Sequence, residues 1–181
     1  MKKIALVAGL AAAVAGTASA DVTYTFTNQT WTGFNFTDLS VLLGGFSGSL
    51  TGVSVNATLN ASTNYTYADD ICVYVDVAPL STGGLLQVGG FSNLGAAQRL
   101  SWANGGSSAP NTTVIDSKSV NAISFSGTSA DARIYLGNGY GASGTSGTWT
   151  GSITLIGVNV VPAPGAIALV GLAGLAGRRR R

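Results

Sequence analysis

Between residues 22 and 160, apolar and polar residues alternate with a period of two, and no long stretch repeats at 3.6. Val22, Tyr24 and Phe26 alternate with Thr23, Thr25 and Thr27. Val53, Val55, Ala57 and Leu59 alternate with Ser54, Asn56, Thr58 and Asn60. In a strand, successive side chains point to opposite faces, so each run predicts a half-buried strand. Residues 71–77 are almost continuously apolar, as in a strand covered on both faces. Further strands are expected at 85–88, 98–102, 112–115, 120–125, 132–136 and 148–160. In the last of these Trp149, Ile153 and Leu155 share one face. Residues 37–43 read equally as a strand or a short helical turn.

Turn chemistry separates these runs. Gly44-Gly45, Gly83-Gly84, Gly89-Gly90 and Gly105-Gly106 break the alternation, and Asn138-Gly139 is a tight-turn dipeptide. Short strands at this spacing predict an all-β fold, an antiparallel β-sandwich of jelly-roll or related Greek-key order.

The two ends read differently. Lys2 and Lys3 precede an apolar, Ala-rich stretch at 4–16, and Ala18-Ser19-Ala20 has the small-x-small form that signal peptidase cuts. Cleavage after Ala20 leaves Asp21 as the new N-terminus. At the other end Val161-Pro162-Ala163-Pro164 leads into an apolar stretch, Gly165 to Gly177, and then Arg178, Arg179, Arg180 and Arg181. Thirteen residues make a helix of about 20 Å, short of the ~30 Å hydrocarbon core. The arginines resist translocation and are expected to stay cytoplasmic. The expected organisation is a signal peptide at 1–20, a β-sandwich at 21–160 and a membrane-engaging tail at 161–181, with an apolar helix flanking the sandwich at each end.

This tail resembles the PEP-CTERM sorting signal of Gram-negative bacteria: a Pro-containing motif, a short apolar helix and a terminal arginine cluster. Val161, Pro162 and Pro164 fit the motif, and Ala163 stands where the name-giving Glu would be. The resemblance implies an exosortase-like membrane protease as a partner beside signal peptidase. It also implies a brief stay in the inner membrane, then the cell surface or extracellular matrix, in a setting of exopolysaccharide and biofilm.

With both ends set aside, the charge reverses sign. The formal +2 of the whole chain rests on Lys2, Lys3 and the four tail arginines; residues 21–161 keep Arg99, Lys118 and Arg133 against seven Asp, so 3 − 7 = −4. So weakly acidic a domain is a poor nucleic-acid binder.

The chain has no His and no Glu. Without His the usual general base and the common triads are missing, and a lone Cys72 builds neither a disulfide nor a zinc site. Cys72 reads as a buried hydrophobe. A two-carboxylate glycosidase has only Asp to draw on, and Asp69-Asp70 would point to opposite faces of an extended chain. The reading is therefore non-enzymatic and without a cofactor; the alternative is a structural Ca²⁺ gathered by Asp69, Asp70, Asp76 and the Asn64 region, which the spacing does not demand.

The sharpest binding expectation is a saccharide, the ligand of a carbohydrate-binding module. Sugar C–H faces stack on aromatic rings while amides and carboxylates take the hydroxyls. Trp31, Trp102, Tyr140 and Trp149 are candidate platforms, with Asn138 and Asn104 near in sequence. Trp149 reads as buried; Trp31 and Tyr140, flanked by Thr and Gly, read as exposed.

Overall fold

The computed structural model describes residues 21–77, 80–128 and 131–161. Among them run nine strands: β1 (Val22–Thr32), β2 (Phe36–Asp38), β3 (Phe46–Thr63), β4 (Ile71–Asp76), β5 (Leu86–Val88), β6 (Gln98–Leu100), β7 (Thr112–Ser126), β8 (Arg133–Asn138) and β9 (Ser146–Val160). A short helix α1 (Leu39–Leu43) follows β2, and a one-turn 3-10 helix, Ala68–Asp70, precedes β4. The fold is all-β and mostly antiparallel, as the alternation predicts. Residues 37–43 are both things at once. They complete β2, then turn helical where Asp38 Oδ1 accepts the Val41 N–H at 3.0 Å, and stop at left-handed Gly44.

The strands form two sheets, ordered β1-β9-β3-β7 and β2-β8-β4-β5-β6. Early strands pair with late ones in a nested series: β1 with β9, β2 with β8, β3 with β7, and β4 with β5. The β3–β9 and β4–β8 pairs then close each sheet.

One apolar core is shared between the sheets. From the first come Phe26, Leu50, Val55, Leu59, Trp149 and Leu155; from the second, Ile71, Val73, Leu86, Ile134 and Leu136. Full burial of each such side chain stabilises the fold by about 1.5–3 kcal/mol. Trp149, Ile153 and Leu155 are completely buried, as their shared face predicts. On the outer face of the second sheet, Cys72, Tyr74, Leu94 and Tyr135 form a smaller cluster. Burial holds the Cys72 thiol well above its ordinary value.

Three expectations need correction. The β5–β6 pair is parallel, because the loop between them carries the chain back to the same end before β6 begins. Residues 112–115 and 120–125 belong to one strand, β7, whose irregularity lies opposite Leu50 and Gly52. Asn138-Gly139 does not close a two-residue hairpin. Asn138 is the last residue of β8, its N–H donates to the Asn35 carbonyl, and a longer loop leads to β9.

Candidate functional site

At the pole where β3 and β8 end and β9 begins, loops from both sheets surround a cleft of about 470 Å³. Its walls carry Tyr65, Tyr67, Asp69, Asp70, Phe91, Arg99, Ser101 and Tyr140, with Gly89, Gly90 and Trp102 below. The opposite pole holds both ends of the described chain. The Gly157 N–H donates to Asp21 Oδ1 at 3.1 Å, and the Val161 N–H donates to the Gly45 carbonyl at 3.1 Å. β9 spans the distance between the poles, roughly 45 Å for a strand of its length.

The floor is fixed by Trp102, only 6% exposed, whose indole N–H donates to the Ile71 carbonyl at 2.8 Å. Gly89 makes room for it. Its φ of +80° favours glycine, and a Cβ there would run into the Trp102 indole nitrogen and the Ile71 carbonyl.

Asp70 ties the walls together. Its Oδ2 accepts the Tyr67 N–H at 2.7 Å and its Oδ1 accepts the Phe91 N–H at 3.0 Å. Burial, reinforced by the like charge of Asp69, pushes its pKa up to about 6, against the lowering pull of the Tyr67 and Phe91 N–H groups. Asp69 is half-buried in the same cleft, and burial likewise raises its pKa. The helical turn at Ala68–Asp70 explains why two adjacent carboxylates reach one cavity, where an extended chain would have separated them. Arg99 donates to the Phe91 carbonyl at 2.7 Å. Lys118 and Arg133 lie elsewhere, paired with Asp116 and Asp38.

The rim is aromatic and open. Phe91 is 74% and Tyr65 77% exposed, and Phe91 meets Tyr140 edge to face at 5.7 Å. Tyr65 stands on strained backbone, with φ of +52° at Asn64 and +62° at Tyr65. The Asn64 amide props this turn by donating to the Gly144 carbonyl at 2.9 Å.

Of the expected saccharide residues, Tyr140 and Trp102 meet in the cleft and Trp31 does not. Trp31 is 2% exposed, within the core. A bulge between Phe26 and Gln29, with Asn28 at φ +48°, shifts the alternation by one, so Phe26 and Trp31 both point inward. Its indole N–H donates to Thr37 Oγ1 at 3.1 Å and its ring packs on Trp149 at 5.8 Å. Asn138 is also fully buried, on the same face as Ile134 and Leu136. It acts on the cleft from behind, its Oδ1 accepting the Tyr140 N–H at 2.9 Å. Asn104 braces its loop against β7 through two hydrogen bonds to Ile115.

Of the residues named for calcium, Asp69 and Asp70 share the cleft and Asp76 stands apart. Asp70 and Asp76 flank opposite ends of β4, and Asp76 accepts from Ser81. Among the described residues no three His, Cys, Asp or Glu side chains lie close enough to hold a metal ion.

Sequence reasoning missed Tyr65, Tyr67, Phe91 and Arg99. The available signal was aromatics placed inside turn segments, Asn64-Tyr65-Thr66-Tyr67 and Gly89-Gly90-Phe91, where no strand face could bury them.

No protein-family model, no curated protein and no solved structure matches the chain. Among the described residues no helix is long and apolar enough to cross a membrane. Ala18, Ala20 and the tail from Pro162 to Arg181 lie outside the described residues.

Proposed function

We propose that this chain is an exported, non-enzymatic surface or matrix protein of a Gram-negative-type bacterium that binds a saccharide in the cleft at one pole of its fold. The observation that carries the reading is the juxtaposition of open aromatic rings, Tyr65 and Phe91, with carboxylate and guanidinium groups, Asp69 and Arg99, around one cavity. Rings take the apolar faces of a sugar and charged groups take its hydroxyls, which is the balance of apolar lining and few placed polar groups that ligand clefts use.

The nested strand pairing supports a jelly-roll β-sandwich as the scaffold. Sorting through Val161-Pro162-Ala163-Pro164 and the terminal arginines remains part of the reading, with exosortase-like processing after export. The placement of Asp21 and Val161 at one pole and the cleft at the other favours it. A chain held by either end would present its cleft away from the membrane.

Hydrolysis is the weaker reading. Both Asp70 oxygens accept backbone N–H groups, so that carboxylate is a loop clamp, which leaves Asp69 alone where a glycosidase needs two.

The test is a glycan array probed with the full-length chain and with a Phe91→Ala, Tyr65→Ala double variant. Retention of at least one saccharide class by the wild type and its loss from the variant is expected. An array blank for the wild type would contradict the reading.

A further inference from the structure

We infer that the cleft selects a saccharide carrying a protonated amine, with Asp69 as the residue that receives it. The inference rests on the saccharide reading and narrows it. Two carboxylates and one guanidinium line the cavity, so its net charge at neutral pH is negative when both carboxylates are ionised. Arg99 donates one N–H to the Phe91 carbonyl at 2.7 Å, and both Asp70 oxygens accept backbone N–H groups. No ion pair joins Asp69 to any cation among the described residues.

A half-buried carboxylate without a counter-ion is a desolvated charge awaiting one, and burial already raises the pKa of Asp69. A protonated amine would supply the missing charge and a charge-assisted hydrogen bond. The surrounding rings suit the same ligand. Tyr65, Tyr67, Phe91 and Tyr140 line the cavity, and aromatic rings attract cations as well as sugar C–H groups. A uronic acid would bring a third carboxylate into a cleft that holds two and a single guanidinium. A neutral sugar would leave Asp69 uncompensated.

The experiment is calorimetric titration of the purified full-length chain in mild detergent with four tetrasaccharides. They are a fully deacetylated glucosamine oligomer, its N-acetylated counterpart, a neutral glucose oligomer and an oligogalacturonate. The deacetylated oligomer is expected to bind at least tenfold more tightly than the other three. Asp69→Asn is expected to bring it level with the acetylated one, and Phe91→Ala to weaken both forms. Equal affinity for the deacetylated, acetylated and neutral oligomers would overturn the amine inference and leave the saccharide reading standing. Preference for the oligogalacturonate would overturn it in favour of recognition by Arg99. Binding of none of the four would overturn it together with the saccharide reading for these classes. The wild-type comparison needs no variant, so a misfolded Asp69→Asn protein would not rescue the inference.

Discussion

Asp70 Oδ1 accepts the backbone N–H of Phe91 at 3.0 Å, and this bond holds the loop after β5 against the turn before β4. The partner oxygen does the same for Tyr67, so one buried side chain spans both walls of the cleft. Under the saccharide reading, Asp70 would couple loop stability to binding.

Replacing Asp70 by Ala removes both bonds and leaves two N–H groups without their acceptor. A loss of about 2 kcal/mol is expected, because charge-assisted bonds contribute more than this and the burial cost of the carboxylate offsets part of it. Urea denaturation of the wild type and variant measures the difference. The pH dependence has a definite sign. The folded pKa of about 6 lies above the unfolded value, so the folded state holds the proton more tightly. The proton-linked part of the Asp70 contribution is fully present below the unfolded pKa and is lost as pH rises through about 6. Carboxyl carbon shifts of Asp70 followed by NMR should show a midpoint near 6; a midpoint near 4 would contradict the burial argument.

The strands were legible because alternation is a local property. Val53 to Asn60 and the Trp149, Ile153 and Leu155 face lie where the pattern puts them. Trp31 was not legible, because one extra residue at Asn28 inverts the pattern downstream and only pairing with β9 reveals it. The cleft was legible only in part. Tyr140 and Trp102 stood out by residue type, but their meeting with Phe91, Arg99 and Asp69 depends on four connections converging at one pole. Convergence of that kind is set by the non-local strand order.

The aromatic residues should divide into two groups by their response to truncation. Phe91→Ala and Tyr65→Ala remove exposed rings and are expected to change stability by under about 0.5 kcal/mol while weakening saccharide binding. Trp31→Ala empties part of the core and is expected to cost about 3–5 kcal/mol. Thermal unfolding together with binding on the same samples checks both halves. A strongly destabilised Phe91→Ala would show that the ring supports the loop and is not held open for a ligand.

Processing at both ends gives a mass prediction. The surface form should begin at Asp21 and should lack Arg178 to Arg181, cut near Val161 to Pro164. Intact-mass spectrometry of protein released from the cell surface measures this. A surface form retaining Met1 would defeat the export reading, and one retaining all four arginines would defeat the sorting reading in favour of a plain anchor.

The account turns on the cleft as a saccharide site, and chemical-shift mapping tests that most directly. Uniformly ¹⁵N-labelled protein would be titrated with an oligosaccharide that scores on the glycan array, and its backbone amide shifts followed. The account predicts saturable shifts confined to the pole that carries Tyr65, Asp69, Phe91, Arg99 and Tyr140, with the Gly157 and Val161 pole unmoved. Saturable shifts elsewhere, with these residues silent, would contradict it.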